Sequence, residues 1–135
     1  MANLNVIQNK HLDTTEVKAK AIESFNQHLI HNAAMASNNI RSVNFDISVA
    51  KEDSDNALVA LNAQSTLQAM LAAQMLSIHQ LQQTTMASAN GCDHFELKKY
   101  YTNSAIKLSN CFVQQANVLA KCKRQSNPIY TGQVN

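Results

Sequence analysis

From Asn56 through Cys92 the chain contains no Asp, Glu, Lys or Arg. The run is rich in Ala, Leu, Gln and Met, with no Pro and no Gly before Gly91. These residue types favour helix, and nothing in the run punctuates one. A helix on the outside of a monomer normally carries charge on its solvent face. Without that charge, most of the circumference is expected to be covered by protein. The run therefore predicts a central helix in a bundle, shared between subunits. Such a helix specifies a scaffold and no particular chemistry.

The rest of the composition agrees with a helical scaffold. A chain of 135 residues makes one domain with one core. With 45% hydrophobic but only 5% aromatic residues, that core consists of Leu, Ile, Val, Ala and Met. Two Gly and one Pro leave few tight turns, so the elements are few and long. A net charge of +2 supplies no field strong enough to imply nucleic acid or an anionic membrane. Gln64, Gln68, Gln74, Gln80, Gln82 and Gln83 interrupt the uncharged run too often for a membrane span. Cys92, Cys111 and Cys122 are odd in number and lack C-x-x-C spacing. The first ten residues, MANLNVIQNK, show no basic segment followed by an apolar run. Free thiols in a reducing cytoplasm are expected.

Along the chain, Asp13-Thr14-Thr15-Glu16 has capping-box spacing. Behind it Val17, Ala21, Ile22, Phe25, Leu29 and Ala33 recur at helical spacing, predicting a first helix over about 14–37 with a stop at Asn38-Asn39. Residues 42–49 change period: Val43, Phe45, Ile47 and Val49 alternate with Asn44, Asp46 and Ser48, as in a half-buried strand. That strand needs a partner, and the candidates are LNVIQ near the start, IYTGQV near the end, or a second subunit. Ser54 or Asp55 is the expected N-cap of a second helix over 56–90. Asn90-Gly91 closes it, with Gly91 suited to a left-handed cap, and Asp93-x-x-Glu96 opens a third helix over 94–124. The short Asn-Gly-Cys-Asp link makes the last two helices an antiparallel hairpin. Residues 125–135 form a tail.

The expected fold is mainly α: a long antiparallel hairpin, a shorter N-terminal helix and a small β element. Helices of that length reach roughly 50 Å, whereas a compact domain of this size is about 35–40 Å across. Oligomerisation is expected to complete the bundle.

Two pieces of the hairpin, MLAAQMLSIHQLQQTTM (70–86) and NSAIKLSNCFVQQANVLAKCK (103–123), carry a resemblance. The chain over about 70–123 resembles a family of short, uncharacterised bacterial proteins with an LAAQM run, a following His matched by His79, and a KLS motif. The resemblance implies the helical hairpin and a bacterial or mobile-element origin; it implies no activity, cofactor or catalytic residue. This chain has SANGCDHFE where relatives carry basic residues at the hairpin turn, and IYTGQV where they carry a Val-rich tail before a Gly-Gly run.

No catalytic, cofactor or metal site is expected. His79 beside an apolar helix face reads as a packed histidine rather than a ligand. A di-metal carboxylate bundle needs inward Glu residues and Glu-x-x-His pairs, and neither is present in the uncharged helix. His28 and His31 have i, i+3 spacing with no nearby third ligand. Cys92 and His94 at the turn are too close in sequence for a nucleophile–base pair. Cys111 and Cys122 lie on the seam of the third helix and read as small core residues.

The expected interaction face, for self-assembly or another protein, comprises Leu67, Leu71, Met75, Ile78, Leu81, Leu108, Phe112 and Leu119. It predicts that Leu71→Glu or Ile78→Glu breaks assembly. Met70, Met75 and Met86 read as core, or alternatively as a groove for a partner helix. The alternative function is a nucleic-acid-binding accessory protein using Lys98, Lys99, Lys107, Lys121, Lys123 and Arg124. An enzyme ranks below both.

Overall fold

The computed structural model describes residues 3–126, with side chains described over 14–125. Four helices follow in order: α1 (Asn3–Ala36), α2 (Ile47–Ala60), α3 (Thr66–Asn90) and α4 (Phe95–Ser126). The fold is mainly α, and no strand occurs among the described residues.

The alternating stretch at 42–49 is not a strand. Val43 is 99% exposed, and two turns, Ser42 N–H to the Asn39 carbonyl and Phe45 N–H to the Ser42 carbonyl, consume the backbone there. Asp46 is the N-cap of α2: its Oδ1 accepts from Ser48 N–H at 2.8 Å and Val49 N–H at 3.3 Å. A capping aspartate satisfies donors that a strand would leave for a partner. Of the proposed strand partners, LNVIQ lies inside α1, and IYTGQV lies outside the described residues.

The uncharged run is two helices. α2 ends in a Schellman motif at Asn62, which adopts φ 53°. Asn62 N–H bonds to the Val59 carbonyl at 2.9 Å, Ala63 N–H to the Leu58 carbonyl at 3.4 Å, and Ala63 packs on the cluster containing Leu58. Three residues later Ser65 caps α3, its hydroxyl accepting from Gln68 N–H at 3.2 Å. Gln68 reaches back, and its Oε1 accepts from Gln64 N–H at 2.9 Å. Ser54, expected as a cap, is buried within α2 and its hydroxyl donates to the Ala50 carbonyl at 2.8 Å. Asn62→Val is expected to lower stability by about 1–2 kcal/mol, because a β-branched side chain resists the left-handed conformation. Asn62→Gly is expected to be neutral or slightly stabilising; urea melts of the two variants check both.

The hairpin link also differs in detail. Gly91 has φ −85° and ends α3 in right-handed geometry, its N–H on the Ala87 carbonyl at 3.0 Å. An added Cβ would make only ordinary contact at 3.5 Å, so glycine is not required there. His94 takes the capping position assigned to Asp93: its carbonyl accepts from Lys98 N–H at 2.9 Å and its Nδ1 from Leu97 N–H at 3.4 Å.

α3 is the hub. It packs along its length against α4, while α1 and α2 pack against each other and on the opposite flank of α3. Among the described residues, α1 and α4 do not meet. The junction of α1, α2 and α3 is a cluster of Ala33, Leu58, Ala72 and Ala73, flanked by Leu29, Ile30, Leu61 and Ala63. Alanine at three of the four central positions lets the helices approach closely. The interior is thin: the largest fully buried side chains are Gln68 and Ser54. The accessible surface is 10576 Å² for a 14.9 kDa chain, against about 7,000 Å² for a compact folded monomer of that mass.

Candidate interaction face

The α3–α4 hairpin absorbs most of the face read from the sequence. Met75 and Leu119 are buried, and Leu71, Ile78, Leu108 and Phe112 are half-buried. Leu67 and Leu81 remain exposed, at 58% and 54%. At 100° per residue, Leu67, Met70, Gln74 and Leu81 share one arc of α3 between its α1 and α4 sides. Glutamate at the half-buried Leu71 or Ile78 would perturb the hairpin itself, so Leu81→Glu is the cleaner probe. It is expected to leave helix content unchanged by circular dichroism while reducing any association through this arc.

Beside that arc runs a groove of about 510 Å³, floored by α3 and walled by α1, with Gln115 of α4 at its far side. Its α1 wall is Leu29, Asn32, Ala33 and Ala36; its α3 wall is Met70, Ala73, Gln74, Ser77 and Ile78. No lining side chain is ionisable. The groove exists because, among the described residues, α1 and α4 sit on different flanks of α3 without meeting. Polar bonds brace its edges: the Ser37 and Ser77 hydroxyls are 3.3 Å apart, and Gln115 Nε2 donates to Gln74 Oε1 at 3.3 Å. The methionines of the expected face separate. Met70 lines this groove, Met75 is buried, and Met86 lines a smaller cavity of about 350 Å³ between α3 and α4.

The uncharged surface of α3 is only partly covered. Toward its C-terminus Gln80, Gln83, Thr84 and Ala87 face solvent. There the hydroxyls of Thr84, Thr85 and Ser88 donate to the carbonyls of Gln80, Leu81 and Thr84, at 3.0, 2.7 and 3.0 Å. Polar groups turned back on the helix leave its outer surface weakly hydrated without any charge.

The helix-four cations divide. Lys99, Lys107, Lys121 and Arg124 fall within one outward arc of about 100°, together with Asn103, Asn110 and Asn117. Lys98 lies about 80° outside it. Lys123 is half-buried and donates to the Leu61 carbonyl, closing the end of α2. It is thereby engaged within the chain.

The reactive candidates do not converge. The Cys92 thiol donates to the His94 carbonyl at 3.5 Å, while the imidazole Nδ1 of His94 is engaged by Leu97 N–H. The two groups do not form a nucleophile–base pair. His79 is exposed rather than packed, with its ring centroid 6.0 Å from that of Phe112 and tilted by 50°. It borders a small apolar hollow with Leu61, Met75 and Leu76. His28 and His31 are exposed on α1. Among the described residues, no group of three or more His, Cys, Asp or Glu is placed to hold a metal, and no helix is long and apolar enough to cross a membrane.

The apolar residues that gave the first helix its periodicity are in part left outside. Every side chain from Thr14 through His28 is exposed, including Val17 at 63%, Ile22 at 55% and Phe25 at 42%. Their 3–4 spacing was legible; that they overhang the rest of the chain was not. The chain matches no protein-family model, no curated protein and no solved structure.

Proposed function

We propose that this protein is a non-enzymatic, self-assembling helical interaction module, acting in the cytoplasm through surfaces completed by another copy. The observation that carries this reading is the exposed apolar surface. Val17, Ile22, Phe25, Leu67 and Leu81 lie uncovered on helices whose buried interior is mostly alanine. Ile22 and Phe25 share one face of α1, and uncovered apolar surface of that kind favours an interaction site. The three free cysteines suit a reducing compartment.

The test is concentration-dependent unfolding. If association supplies the missing core, the melting temperature rises with protein concentration by mass action. A melting temperature unchanged over a hundredfold range of concentration would remove the reading.

A second reading rests on the outward arc of α4. Helix α4 holds six cations against Glu96 alone, while residues 46–55 hold Asp46, Glu52, Asp53 and Asp55 against Lys51. This separation of charge favours an anionic partner at α4, with nucleic acid the natural one. Replacing Lys99, Lys107, Lys121 and Arg124 by Ala is expected to abolish salt-sensitive binding to a mixed-sequence duplex. No binding by the parent protein at low salt would rule it out.

A further inference from the structure

We infer that the groove between α1, α3 and α4 receives the stretch of α1 that carries Ile22 and Phe25 from a second copy, in a two-fold exchange. The inference rests on the self-assembly reading and names its interface.

The first observation is the shape of the groove walls. On α1 the lining residues Leu29, Asn32, Ala33 and Ala36 are spaced i, i+3, i+4, i+7. On α3, Met70, Ala73, Gln74 and Ser77 repeat that spacing. Four residues at those positions are the hole into which one side chain of an apposed helix inserts as a knob. The groove thus offers two such holes side by side, both with alanine in the floor, where one further helix would complete a four-helix bundle.

The second observation is an exposed stretch of helix. From Thr14 to Phe25, α1 is exposed on every side. Most helical stability in a protein comes from tertiary packing of an apolar face. An exposed Lys20–Glu16 pair at 3.1 Å adds little. Yet the overhang carries Ile22 and Phe25 on the same arc as Leu29 and Ala36, so one continuous stripe is large where it is bare and small where it lines the groove.

That asymmetry is self-complementary. With two α1 helices antiparallel, Phe25 of each copy enters the hole of Leu29, Asn32, Ala33 and Ala36 on the other. Ile22 then lies over Ala36, and the two Leu29 side chains meet near the axis. Because the same patch serves on both copies, the interface closes at two and does not propagate. The groove has no ionisable lining residue, so seating the two aromatic rings leaves no charge stranded. The surface is available too. A stable interface takes about 800 Å² per partner, and Ile22 and Phe25 with the groove walls supply its apolar centre.

The test uses the full chain and two kinds of variant. Phe25→Cys/Ala36→Cys is expected to form an intermolecular disulfide dimer under mild oxidation, since knob and hole bring those positions within bridging distance. Gln27→Cys/Ala36→Cys, with the first thiol on the opposite side of α1, is not expected to do so beyond the level given by the native cysteines. Phe25→Glu is expected to weaken the dimer about thirtyfold or more. Its helix content should stay unchanged, because Phe25 is exposed within one chain. If Phe25→Glu stays dimeric and the 25/36 pair does not cross-link above control, self-assembly stands and this interface is wrong. If the parent protein is monomeric throughout, both fall.

Discussion

Leu58→Ala is expected to lower unfolding free energy by about 2–4 kcal/mol, a large share of the total stability of a small domain. Leu58 is the one large apolar side chain among the four residues at the α1–α2–α3 junction, where Ala33, Ala72 and Ala73 supply the rest. Those alanines have no side chain that can swing in to fill the void, so relaxation recovers little. The loss should be local. α2 packs on α1 and α3 and meets α4 only at its cap, through the Leu61 carbonyl. Hydrogen exchange is expected to accelerate in α2 and the C-terminal end of α1, while the α3–α4 hairpin retains its protection. Equal acceleration in all four helices would show that the junction and the hairpin unfold as one unit.

Gln68→Leu is the second large effect expected, at about 1–3 kcal/mol. Leucine is close in volume and more apolar, so an argument from burial alone would predict a gain at a position 1% exposed. The opposite is expected because Gln68 is part of the turn that separates α2 from α3. Its Oε1 accepts from Gln64 N–H at 2.9 Å, and its own N–H is taken by the Ser65 hydroxyl at 3.2 Å. Leucine leaves the first donor without that acceptor. Gln68→Glu keeps an acceptor but buries a charge, and is expected to cost more than Gln68→Leu at neutral pH. Denaturant melts of the three proteins order the effects; a Gln68→Leu variant more stable than the parent would contradict this account of the turn.

The same turn shows where the sequence was legible and where it misled. Without Gly or Pro, the run after Asn56 reads as one helix. The break is made by Asn62, the residue next to Gly in tolerance of the left-handed conformation, and by Ser65-Thr66-Leu67-Gln68, which has the spacing of a capping box. Both signals were present, but helix-favouring neighbours outweighed them. At 43–49, four alternating apolar residues suggested a strand, although the same residues contain Asp46 placed to cap a helix. So short an alternation cannot outweigh a cap that satisfies two backbone donors. The hairpin was more readable, since Asn-Gly-Cys-Asp and the 3–4 spacing of Leu108, Phe112 and Leu119 are local signals. Absence of charge was a weaker guide to burial. Toward the C-terminal end of α3, Gln, Thr and Ala face water, so an uncharged surface does not by itself imply a covered one.

What no local pattern could reveal is the relation between the ends of α1. Ile22 and Phe25 share a stripe at helical spacing with Leu29 and Ala33. Whether a stripe is buried depends on how far the other helices extend beside it. Here they reach the C-terminal end of α1 and stop, leaving a bare half and a lined half on one helix.

The most direct test is absolute mass by light scattering, over a range of concentration and at low and high salt. The account predicts a particle of twice the 14.9 kDa chain that forms as concentration rises, and that persists at high salt because the contacts are apolar. A particle of single-chain mass at every concentration would contradict it.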